Sequence, residues 1–191
     1  MAKKIILLSD GTGNSAAKLF KTNVWRLYQS LDLSSSGQVA FYDDGVGTSS
    51  FKPLAILGGA FGWGLKRNVL DLYTFLCRNY FTTDQIADEI YAFGFSRGAF
   101  TIRVLLQFVL SQGLVANYTS NADLRRKALR LYRKFRAGRT TRFGLASAAR
   151  AVRDAWIWLL DHVIFAPASL DIRVQTVTAI NFVGLWDTVD A

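Results

Sequence analysis

The stretch Glu89-Ile90-Tyr91-Ala92-Phe93-Gly94-Phe95-Ser96-Arg97-Gly98-Ala99 decides the reading of this chain. Residues 89–95 have the apolar and aromatic character of a short buried strand, and the apolar run from Ala99 to about Leu110 reads as a helix. Between them stands Gly-x-Ser-x-Gly. In a strand–turn–helix setting this pattern has a mechanical meaning: the serine occupies a strained turn, and the glycines let strand and helix backbones approach. Ser96 is then expected to lift its hydroxyl above the sheet at a helix N-terminus, where developing negative charge is favoured. The backbone N–H of Arg97 is a candidate oxyanion donor. The competing reading is a structural turn, and the strand–turn–helix context weighs against it.

Working outward, strands alternate with helices. Lys4–Leu8 reads as a buried strand, followed by the turn Asp10-Gly11-Thr12-Gly13-Asn14. Thr22 or Asn23 caps a helix reaching about Leu31, and Gln38–Tyr42 is a second strand closed by Asp43-Asp44-Gly45-Val46-Gly47. A glycine-rich approach, Gly58–Gly64, leads into a helix over about Leu65–Tyr80. After the Ser96 region, Ala122–Phe135 and Leu145–Phe165 read as helical, and Thr178–Trp186 as the last strand. The alternation predicts an α/β fold with a mostly parallel, doubly covered sheet.

The totals agree with a globular chain. Apolar residues make up 51% of the 191 and charged residues 19%, which excludes a disordered tail. Cys77 is the only cysteine, so no intrachain disulfide forms. The apolar run Ile5–Leu8 is too short for a signal peptide, and no segment has the uninterrupted apolar length of a spanning helix. The location therefore stays open between the cytoplasm and delivery by a signal-independent secretion route. The net charge of +9 has one source: Arg125, Arg126, Lys127, Arg130, Arg133, Lys134, Arg136, Arg139 and Arg142 are nine cations in a segment without acids. Removing nine from 23 leaves 14 cations against 14 acids, so the rest of the chain is neutral.

A second oxyanion donor is expected from the Gly11–Thr12 turn after the first strand. That turn also fits a bland loop, or a dinucleotide fingerprint through Gly11-x-Gly13-x-x-Ala16. Against the fingerprint, the acids Asp43 and Asp44 lie about thirty residues on rather than about twenty. Gly59–Lys66 lacks the Gly-Lys-Ser/Thr ending of a phosphate loop, which excludes that NTPase motif. Asp187 follows the last strand, at the edge where such sheets present functional residues, and is the candidate triad acid, with Asp190 the alternative. The only histidine, His162, precedes Asp187 and lies in an apolar helical stretch. It fits a packed residue better than a catalytic base, because the chain order in this fold is serine, acid, histidine.

Four blocks carry a family resemblance: Asp10-Gly11-Thr12-Gly13-Asn14-Ser15, Tyr42-Asp43-Asp44-Gly45-Val46-Gly47-Thr48, Gly94-Phe95-Ser96-Arg97-Gly98-Ala99 and Phe182-Val183-Gly184-Leu185-Trp186-Asp187-Thr188-Val189. In this order they resemble the α/β-hydrolase domain family of uncharacterised function that includes type VI secretion phospholipase effectors. The resemblance implies an α/β-hydrolase-like fold, a catalytic serine at Ser96, a catalytic aspartate at Asp187, and hydrolysis of phospholipid esters. It also implies a histidine in a later His-Ser-Asp-like segment that these residues do not contain. The expectation is therefore one incomplete hydrolase domain over 1–191, truncated before the last strands and inactive by itself.

The basic and apolar stretch at about 120–168 reads as an insert, a cap or lid in such a fold. Arg125–Arg142 beside Trp156, Trp158 and Phe165 suits an anionic membrane surface, and equally a solvated basic face over a buried helix. No recognition motif points to nucleic acid. No cofactor and no metal is expected. A degenerate, non-enzymatic α/β binding domain and a nucleotide-binding domain using Gly11–Ala16 are the rival readings.

Overall fold

A computed structural model describes residues 2–11, 21–45, 60–83, 85–137 and 171–188. The chain order is β1 (Lys4–Ser9), α1 (Asn23–Gln29), β2 (Gln38–Asp43), α2 (Ala60–Asn79), β3 (Glu89–Phe95), α3 (Arg97–Gln112), β4 (Leu114–Val115), α4 (Asn121–Ala137), β5 (Val174–Gln175) and β6 (Phe182–Trp186). Four strands form one sheet in the order β2-β1-β3-β6, every neighbouring pair parallel. The fold is α/β, as the alternation of elements predicts.

Side chains leave successive strand residues on opposite faces, so β1 feeds two cores. Ile5 and Leu7 pack with α2, α3 and α4, whereas Ile6 and Leu8 pack with Val24 of α1. Helices therefore cover both faces of the sheet. Tyr73 of α2 stacks on Phe108 of α3 at 4.4 Å, and Tyr132 and Phe135 of α4 close on the same ring at 5.4 and 5.3 Å. The Tyr73 hydroxyl donates to the Gly113 carbonyl at 2.8 Å and accepts from the Val115 N–H at 3.2 Å, so its burial leaves no polar atom unmet.

Two boundaries differ most from the sequence expectation. Helix α2 begins at Ala60, not near Leu65, so Gly62 and Gly64 lie within it. The last strand begins at Phe182 instead of Thr178. Asn181 explains that start: its N–H donates to the Ile90 carbonyl at 2.9 Å and its Oδ1 accepts from the Ile90 N–H at 2.8 Å, so a side chain stands in for a ladder partner. The antiparallel pair β4–β5 had no sequence signal, at two residues per strand. The expected helix Leu145–Phe165, with His162, lies outside the described residues.

Candidate active site

The strand order itself locates a site. From β1 the chain steps to β2 on one side and then to β3 on the other, so connections leave β1 and β3 in opposite directions. At such a switch point the loops diverge and leave a crevice at the carboxyl ends of the strands. The residues there are Ser9 at the end of β1, Asp10 and Gly11 after it, and Ser96 after β3.

Ser96 is the residue between β3 and α3, and its backbone has φ 53° and ψ −122°. A non-glycine residue with positive φ is strained by roughly 1–3 kcal/mol and persists only where its surroundings hold it. Here the Ser96 N–H donates to the Trp186 carbonyl at 2.9 Å, and its own carbonyl accepts from the Ala99 N–H at 3.1 Å. The flanking glycines are required by contact. A Cβ on Gly94 would stand 2.6 Å from the Ala99 Cα, and one on Gly98 would overlap the Ser9 carbonyl and stand 2.6 Å from that of Asp10. The motif is thus the joint at which strand, helix and the β1 loop touch. Ser96 Oγ makes no capping hydrogen bond to α3, so it is not consumed in ending the helix.

Asp187 stands one strand away. Phe95 and Trp186 are register partners on β3 and β6, so Ser96 and Asp187 are the next residues on two adjacent parallel strands. Asp187 also has positive φ, 46°, and is exposed. Arg97 takes the first helical position of α3, where backbone N–H groups point out of the helix end. Gly11 is buried, and its N–H donates to Asp10 Oδ1 at 2.7 Å. Thr12 and Asp190 lie outside the described residues.

What the sequence reading missed is the carboxylate framework beneath these loops. Asp10, 1% exposed, accepts from the Thr22 hydroxyl at 2.6 Å, from the Tyr42 hydroxyl at 2.7 Å and from the Gly11 N–H. Thr22 is also the N-cap of α1, accepting from the Trp25 N–H at 3.1 Å. One buried carboxylate thereby ties the end of β1, the start of α1 and β2 into a frame. Burial, then the hydrogen bond to Asp10, raises the Tyr42 pKa, so its phenol stays protonated and donating. The only sequence signal for this frame was an acid closing each of two strands, which reads as turn chemistry.

Asp43 is the second member. Its Oδ2 accepts from Ser9 Oγ at 2.9 Å and Asn68 Nδ2 at 2.7 Å, and burial pushes its pKa from 3.8 up to about 6. Between about pH 4 and 6 the folded form then holds a proton that the unfolded chain has released. The native state binds more protons in that window, so stability falls as pH rises through it, by at most about 3 kcal/mol from this group. Asp43→Asn is expected to remove that slope. Urea unfolding of both proteins at pH 4 and pH 7 checks this, and equal slopes would contradict it.

Cys77 does not compete as a nucleophile, since burial pushes its thiol up to about 12. An apolar cleft of about 200 Å³ between α1 and the sheet, lined by Lys4, Ile6, Leu27, Leu31, Tyr91 and Phe93, contains none of the candidate residues. Among the described residues no group of three His, Cys, Asp or Glu side chains could hold a metal ion, and no helix is long and apolar enough to cross a membrane.

No solved structure matches the chain. The uncharacterized protein YEL023C of Saccharomyces cerevisiae is 34% identical over 128 residues, a match covering 60% of this chain and 18% of the yeast protein. The chain thus spans just under a fifth of that relative's length. A family model described as "T6SS, Phospholipase effector Tle1-like, catalytic domain" matches residues 3–191. The chain therefore belongs to the family of Tle1-like phospholipase effector catalytic domains of type VI secretion.

Proposed function

We propose that this chain is the serine-bearing part of an acyl-ester hydrolase domain that acts on phospholipids, with Ser96 as the nucleophile. The observation that carries the reading is the strained backbone of Ser96 at a strand–helix junction, one strand from Asp187. Attack of Ser96 Oγ on an ester carbonyl would place the developing oxyanion at the N-terminus of α3. The Arg97 N–H and the Gly11–Thr12 loop would receive it. In this structure the Gly11 N–H is directed at Asp10, so the loop would have to turn that group, or offer the next one, toward the substrate.

Asp187 would orient a histidine and stabilise its charged form. That histidine is not His162, which precedes the acid in the chain, but one supplied from outside residues 1–191. Without a base to take its proton a serine hydroxyl is a weak nucleophile, and loss of a triad member typically lowers turnover by several orders of magnitude. The 191 residues alone would then be nearly inactive. The family match supports a lipid substrate, and α4, the described part of the stretch at about 120–168, packs into the core through Leu124, Ala128, Tyr132 and Phe135. The nucleotide-binding rival is weaker, because the Asp43 carboxylate at the end of β2 is turned inward to Ser9 and Asn68.

Chemical rescue tests the reading. Hydrolysis of a p-nitrophenyl ester by the chain is expected near background, and added imidazole should raise it in the unmodified protein but not in Ser96→Ala. Imidazole-stimulated turnover identical in the two proteins would overturn the role of Ser96. Robust turnover without imidazole, lost in Ser96→Ala, would overturn the missing base alone.

A further inference from the structure

Helix α4 separates its cations into two kinds. Leu124, Ala128, Tyr132 and Phe135 form its core-facing stripe. Lys127 is also drawn inside, its Nζ donating to the Asn117 carbonyl at 2.8 Å and lying 3.3 Å from Asp123. Arg125 pairs with Asp71 of α2. These two cations belong to the packing of the helix. At 3.6 residues per turn, Arg126, Arg130 and Arg133 fall opposite the buried stripe, with Lys134 and Arg136 on either flank. Arg126 has a side chain 69% exposed and, among the described residues, an ion pair to Asp123 at 3.4 Å. Lys134 and Arg136 are exposed, and Arg130 and Arg133 half-buried. Arg130, Lys134 and Arg136 make no ion pair among the described residues. Burial, then the neighbouring Arg130, lowers the Arg133 pKa.

We propose that this outward face of α4 is a docking surface for an anionic membrane, holding the domain at the lipid sheet that contains its substrate. The inference takes the lipid class from the reading above and nothing from Ser96. Because the apolar stripe of α4 is already spent in the core, the helix has no face to embed among acyl chains. Attachment is electrostatic, reversible and sensitive to salt, unlike that of an amphipathic helix that inserts. A nucleic acid fits less well: among the described residues, this face of α4 presents Arg126, Arg130, Arg133, Lys134 and Arg136, with no aromatic ring to stack on bases and no side-chain amide to read them.

Co-sedimentation of the 191-residue chain with vesicles provides the test. Phosphatidylcholine vesicles containing phosphatidylglycerol should bind it, and phosphatidylcholine alone should not. Each near-surface cation contributes about fivefold, so changing Arg126, Arg130, Arg133 and Lys134 together to Gln should lower partitioning on the order of 600-fold. Its thermal unfolding should stay close to that of the parent. If that variant does not fold, salt decides: binding by the unmodified chain should vanish by about 0.5 M. Ser96→Ala should bind as the parent does, which separates this inference from the catalytic one. Equal binding to both vesicle types, binding indifferent to salt, or a folded quadruple variant that binds unchanged would overturn it. So would tighter binding of duplex DNA than of anionic vesicles through the same four residues.

Discussion

Replacing Gly98 with alanine is expected to cost the fold at least about 3 kcal/mol, enough to unfold a marginal domain. The added methyl would overlap the Ser9 carbonyl and stand 2.6 Å from that of Asp10. Both are backbone atoms of the central strand and its exit, so neither has a rotamer to change. Relief requires α3 to withdraw from β1, and that helix carries Ile102, Leu105, Phe108 and Val109 in the core. Overpacking of this kind costs typically 1–3 kcal/mol even where side chains can adjust. Gly37→Ala is the control: its Cβ would meet only Ser35 Oγ, at 3.6 Å, and stability should change by less than about 0.5 kcal/mol. Equilibrium urea unfolding of both variants measures the difference. Comparable midpoints for the two would show that the elbow contact is not what fixes this glycine.

Asp10→Ala should be nearly as damaging, at about 3–5 kcal/mol, although it removes no apolar volume. The carboxylate is the common acceptor for the Gly11 N–H, the Thr22 hydroxyl and the Tyr42 hydroxyl. Removing it strands three donors at a buried point, and each costs roughly 1–3 kcal/mol when left unmet, less than additively because they share the site. Removing one donor instead leaves the carboxylate two partners, so Tyr42→Phe should cost only about 1.5 kcal/mol. In a double-mutant cycle the Tyr42→Phe effect should nearly vanish in the Asp10→Ala background. If it persists in full, the hydroxyl acts through a partner other than Asp10, since Phe keeps the ring contacts with Trp25 at 5.0 Å and Tyr28 at 5.2 Å. Asp10→Asn should not restore stability, since an amide nitrogen would donate toward atoms that themselves donate.

These two residues mark how the site was legible. Gly98 could be read from spacing alone, because Gly-x-Ser-x-Gly between a strand pattern and a helix pattern has a single mechanical use. Asp10 could not. Its partners lie 12 and 32 residues away, and nothing local distinguishes it from a turn aspartate. The same limit applies to α2, whose Gly62 and Gly64 suggest a loop by propensity. Each glycine costs about 1 kcal/mol in a helix, which tertiary packing regularly outweighs.

The sequence by itself determined the α/β class, the parallel character of the sheet, and the position of Ser96 between strand and helix. Those follow from local periodicity and from the absence of Cβ atoms at Gly94 and Gly98. Tertiary structure decided which strands are neighbours, and therefore that Ser96 and Asp187 leave adjacent strands one residue beyond a register pair. It also sorted the cations of α4 into Lys127 and Arg125, which serve the packing, and the outward five. Periodicity gives each residue a face. Only the packed chain fixes what that face meets, because its partners come from sequence positions too distant for any local pattern to record.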